Sequence, residues 1–314
     1  MIQLEYNHPG ITGYSAALDH DRLCMLQAHW GGKQDPDYDW IRDTARFHWV
    51  HMPINPGEYV TEVWVSPPHS VGYHIDFGLA VGILLFLLAC LVLILPGHLP
   101  LQFVTNRGRH TSFSSWRSKP MSPQRSYVCV QKPDRHGASL YFGAFEWEQR
   151  RIPAPGKSGC HAHFAFDKRE PVEPREWPRS FVPASPRIAR DPNSSNQFFS
   201  SCRLDDLVEV VPCRSRQVGA WAGSVMGLLL RYANGDRACV GSFRFDWAGG
   251  TCEVGRTGRL YIGYGGKPKS VRDISNEPPP VNTGLYWREV PLSGKLEWWS
   301  LLGEGKVYHV PDAA

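Results

Sequence analysis

A chain of 314 residues, 42% hydrophobic and 20% charged, has room for two domains, and its ordinary composition excludes a disordered or fibrous chain. The net charge of +4 hides a basic middle, with 16 Lys and Arg against 7 Asp and Glu over residues 107–190. No aromatic-interleaved basic helix or nucleic-acid motif accompanies it, so nucleic acid is not an expected partner.

Thirty Gly, 26 Pro and twelve Trp point to a turn-rich, mainly β protein. The eight cysteines form no C-x-x-C pair. The N-terminus, MIQLEYNHPG, lacks the basic start and apolar core of a signal peptide. Free thiols are therefore expected rather than a disulfide framework.

In chain order, the first clear element is GEYVTEVWV (57–65), which alternates like a half-buried strand. LQFVTNRGRHTSF (101–113) reads as two extended stretches around an Asn-Arg-Gly turn, because Asn and Gly tolerate positive φ. Together these segments resemble the jacalin-related lectins. Glu58, Tyr59, Val60 and Val63 match that family's g-E-y-I-t-e-V strand. Phe103, Thr105, Asn106, Gly108 and Arg109 match its F-x-T-N-x-G-R hairpin. A vaguer likeness runs over residues 11–30. The resemblance implies a β-prism-type domain that binds carbohydrate, with the two elements paired in one sheet. It also implies a sugar site built from an N-terminal Gly and a late G-x-x-x-D loop. The nearest late stretch places Gly143, Glu146 and Trp147 there, without the Asp; Gly10 and Gly32 are the nearest early glycines.

Between the two matching segments lies an apolar run. Residues 77–95 carry no charge, and fourteen of the nineteen are Leu, Ile, Val or Phe. As a helix they span roughly 28 Å, close to the ~30 Å hydrocarbon core of a bilayer. Arg107, Arg109, Arg117 and Lys119 follow, so a transmembrane helix over 77–96 would leave the C-terminal half cytosolic. The alternative is that Val81–Gln102 is a retained intron absent from a soluble cytoplasmic product. Deleting it joins GLA to FVTNRGR and restores the hairpin pattern.

Prolines at 153, 155, 171, 174, 178, 183, 186 and 192 mark 151–198 as a linker or irregular crossover. From Arg203 strands return: RLDDLVEVVPC, a hairpin around Asn234-Gly235, GRLYIGYGG, GLYWREVPL and a final pair over 294–310. GLLLRYANGDR (227–237) echoes the restored GLAFVTNRGR and hints at a second copy of one β unit. Gly294, Leu296, Glu297, Trp298 and Trp299 resemble the ending of a fungal family whose function is not established.

Three motifs fail on inspection. Gly156-Lys157-Ser158 lacks the first Gly of a phosphate loop, where Arg151 stands. Cys160, His161 and His163 have no companion ligand pair. Asp35, Asp37 and Asp39 precede Trp40 and Arg46 where a calcium loop needs Gly and Glu. His48 and His51 in FHWVHM face opposite sides of a strand.

The expected architecture is a jacalin-like β domain over 1–150, interrupted at 77–96, a linker over 151–198 and a second β-rich domain over 199–314. The expected function is non-enzymatic recognition, lectin-like and carbohydrate-binding, with no cofactor or metal. Its partner is a glycan or protein, and a membrane if 77–96 is translated. The alternative is a single-pass membrane anchor or interaction scaffold.

Overall fold

A computed structural model describes residues 2–19, 22–31, 38, 47–65, 93–94, 101–115, 127–143, 163–166, 174–175, 185, 197–219, 221–254, 258–266, 269–280, 282–301 and 304–312. The protein is mainly β. The first half contributes β1 (Ile2–Tyr6), β2 (Ile11–Asp19), β3 (Arg22–Trp30), β4 (Phe47–Pro53), β5 (Val60–Val65), β6 (Leu93–Ile94), β7 (Leu101–Thr105), β8 (His110–Phe113), β9 (Tyr127–Gln131), β10 (Ala138–Gly143), β11 (His163–Phe166) and β12 (Pro174–Arg175). The second contributes β13 (Gln197–Arg203), β14 (Leu207–Arg214), β15 (Val225–Tyr232), β16 (Arg237–Gly241), β17 (Cys252–Glu253), β18 (Arg259–Gly265), β19 (Ser270–Ser275), β20 (Tyr286–Pro291), β21 (Lys295–Leu301) and β22 (Glu304–Val310).

Among the described residues six antiparallel sheets share one kernel, an antiparallel pair of successive long strands whose first strand takes a third on its free side. β6, β8, β12 and β16 add to three of them at their edges. β4 joins the β2–β3 pair, β9 joins β5–β7, β17 joins β14–β15 and β20 joins β18–β19. In the remaining two sheets the third strand is the first of its half: β1 on β10–β11 and β13 on β21–β22. Three sheets enclose each core. Leu4, Leu140, Tyr14, Met52, Val63 and Phe103 meet in the first half. Leu296, Trp298, Val210, Leu228, Ile262 and Val290 meet in the second. Each such side chain contributes about 1.5–3 kcal/mol by leaving water.

β5 and β7 pair antiparallel in one sheet with Val63 opposite Phe103, even though residues 66–100 intervene. The turn that follows has Gly108 at φ +70°, and the turn after β15 has Gly235 at φ +83°. Their hydrogen bonds match. Thr105 N–H donates to Arg109 O and Gly108 N–H to Thr105 O; Tyr232 N–H donates to Asp236 O and Gly235 N–H to Tyr232 O.

Three expectations need adjusting. Of the segment 77–96 only Leu93–Ile94 is described, and it is a strand paired with His163 and Phe164. Its backbone partners lie across a sheet, so these two residues do not form the end of the expected transmembrane helix. No helix of the described residues is long and apolar enough to cross a membrane. Within 151–198, the Pro-free stretch His163–Phe166 pairs on both sides, and Pro174 opens a strand at a sheet edge, where its missing N–H costs no ladder bond. In RLDDLVEVVPC the strand starts only at Leu207, because Asp206 turns the chain at φ +59°.

Candidate functional site

The site read from the sequence is only partly described. Gly143 ends β10 opposite His163, and Ile2 lies opposite Phe142. The chain's start and Gly143 therefore meet at one end of a sheet. Glu146 and Trp147 lie outside the described residues, as does Gly32. Gly10 sits in the turn between β1 and β2, at the other end of β1 and against the Trp30 ring.

A more complete surface lies on the outer face of the sheet β19–β18–β20. Along β18, Leu260 and Ile262 point into the core, so Tyr261 and Gly263 belong to the opposite face. Gly263 stands opposite Trp287 on β20 and Asp273 on β19. The indole lies on the Gly263 backbone: a Cβ built there would meet three carbons of the ring at 3.0 Å. Trp287 Nε1 donates to Thr283 Oγ1 at 2.7 Å, which fixes the ring from its edge. Trp287 is half-buried, whereas its chain neighbour Tyr286, 67% exposed, belongs to the other face of β20, across from Tyr264.

Two ion pairs flank the ring. Arg214 reaches Asp273 at 2.5 Å, and Arg259 reaches Glu289 at 2.6 Å. Their side chains are 37–55% exposed, so solvent screens both pairs and each can be re-aimed cheaply. A fixed aromatic plane beside carboxylates and guanidinium groups offers a stacking surface and planar hydrogen-bonding partners for hydroxyls. The sequence marked both strands but not this pairing, since alternation reveals faces and not neighbours.

The closest approach to a catalytic constellation is elsewhere. Ser15 Oγ lies 2.9 Å from His51 Nδ1 and 2.7 Å from His29 Nε2. One hydroxyl proton serves one ring, so the other imidazole donates to Oγ. Burial pushes His29 down to about 4 and His51 well below its usual value, where the His29 charge and Arg237 push further. Ser15 is fully buried and Phe245 lies within 5 Å of both rings. A nucleophile sealed in this way offers no path to a substrate, and sequence reasoning missed the cluster altogether. The expected opposition of His48 and His51 does hold, since His48 stacks on Phe198 with centroids 3.8 Å apart.

The motifs around Asp35, Gly156 and Cys160 lie outside the described residues, apart from the backbone of His163. Among the described residues no group of three potential metal ligands occurs, and Cys24, Cys129, Cys202, Cys213, Cys239 and Cys252 are free thiols. Comparison with protein-family models and with curated proteins finds no match.

Proposed function

We propose that this is a non-enzymatic, lectin-like recognition protein built from two β-prism-type units, and that it binds carbohydrate on the outer face of β18–β20. The observation that carries this reading is the Trp287 indole laid flat on Gly263 between two exposed ion pairs. The prism reading draws on the three-sheet plan around each core and on the Val63–Phe103 register. A sugar would stack its C–H face on Trp287, and Asp273, Glu289, Arg214 and Arg259 would take its hydroxyls.

The test is retention on agarose bearing mannose, galactose or N-acetylglucosamine, with elution by the free sugar. Trp287→Ala is expected to lose retention at least tenfold. Gly263→Val, which lifts the ring without removing it, is expected to do the same with an unchanged circular dichroism spectrum. Retention unaffected by either substitution would refute the site. Pelleting with membranes after a carbonate wash would instead favour the anchor reading, which draws on 77–96 alone.

A further inference from the structure

The two halves meet along a seam rich in histidine. β4 runs beside the segment that follows β16: Trp49 N–H donates to Ser242 Oγ at 2.9 Å, and Phe243 N–H donates to Trp49 O at 3.0 Å. Arg237 N–H donates to Asn55 Oδ1 at 2.7 Å, and Arg107 pairs with Asp236 at 2.8 Å. Three histidines of the first half face phenylalanines of the second. His29 and His51 lie 4.9 and 4.8 Å from the Phe245 ring, His51 also 6.1 Å from Phe243, and His48 is stacked on Phe198.

We propose that this seam is a latch that acid opens, the halves staying docked while the histidines are neutral and parting when they gain protons.

The geometry supports the direction. Ser15 bridges two neutral imidazoles whose centroids are 5.0 Å apart, and protonating both places like charges across that gap with little water between. The groups around them are mostly cationic. Arg109 approaches from the β7–β8 turn, Arg237 from β16, and Arg244 from the segment after β16, where it covers Trp49. The Cys239 thiol on β16 is held protonated by burial. The carboxylates of this neighbourhood are engaged, Glu58 by Arg109 and Asp246 by Arg244, each at 2.6 Å.

The sign follows from linkage. In parted halves an imidazole in water titrates near about 6.5. In the docked seam burial holds His29 at about 4 and His48 at about 3, with His51 also depressed. The parted form therefore binds more protons below about pH 6.5, and docking weakens as pH falls from there toward the docked values. Each histidine multiplies the parted-to-docked ratio by up to about tenfold per pH unit in that window.

Hydrogen exchange and small-angle scattering of the full chain at pH 7.5, 5.5 and 4.5 test the latch. At pH 4.5 the Trp49 and Phe243 amides should exchange at least tenfold faster after correction for intrinsic rates, and the longest dimension should grow. Protection within β14, β15 and β21 should persist. His29→Gln with His51→Gln should cut the acid effect at least tenfold. If that pair does not fold at neutral pH, His48→Gln carries the test and should weaken the acid dependence by one histidine's share. Unchanged amides at pH 4.5, an even loss of protection across both halves, or an acid response undiminished in the variant that folds would each overturn the proposal.

Discussion

Glu58 shows how much one side chain can organise. Its carboxylate is fully buried at the base of the β7–β8 hairpin, where it accepts bonds from Thr105 Oγ1, from Arg109 Nε and Nη2, and from the Asn55 backbone N–H. Burial pushes its pKa up, but the Arg109 bonds and charge, Thr105 and the Asn55 N–H outweigh this and leave it below the usual carboxylate value. A depressed carboxylate adds stability above its unfolded pKa, so this contribution fades as pH falls below about 4.5. Glu58→Gln is expected to cost about 2–4 kcal/mol by urea titration at pH 7, because Arg109 is left without its charge partner. The difference should shrink as pH falls from about 4.5 through the lowered folded-state value. Glu58, Thr105 and Arg109 were each legible as motif positions; their mutual contact was not. The Ser15 cluster was illegible for another reason. β2 is buried on both faces, one on the core and one on the seam, so ITGYSAALD lacks the alternation that marks a strand with one wet face.

At the level of elements, the hairpins after β7 and β15 were readable from their Asn and Gly residues. Their likeness proves to be one of turn geometry, with the asparagines one place apart: Asn234 occupies the position of Arg107. β19 escaped notice because its Arg272-Asp273 pair interrupts the apolar pattern. The apolar run lies between segments that share one sheet, and its described pair, Leu93–Ile94, is strand. Val65 and Leu101 are opposed across β5 and β7. Deleting Val81–Gln102 would carry Leu79 and Ala80 into the places of Leu101 and Gln102. Gln102 is 1% exposed, and its Oε1 accepts no hydrogen bond. Replacing it with Ala removes a buried unsatisfied group worth about 1–3 kcal/mol and the shorter loop adds about 1 kcal/mol, against the loss of the two-residue Leu93–Ile94 pairing with β11. The shortened protein is expected to melt about 3–10 °C higher than the full chain. A lower melting temperature would mean that 81–102 contributes to the fold. Sequencing the transcript across codons 70–115 would show which form is made.

Over the whole molecule, two three-sheet units share a plan and a seam. The sequence announced β structure and the turns of two hairpins. It could not announce the seam, which joins residues near 50 to residues near 240 through contacts without local periodicity. Nor could it place the aromatic face, which needs the register of β18 against β20. The central claim is that this face recognises a sugar. A glycan array probed in parallel with the wild-type protein and Trp287→Ala tests it most directly. The account predicts saturable binding to a defined set of glycans by the wild type and at least a tenfold loss in the variant. No glycan bound by the wild type, or equal binding by both proteins, would contradict it.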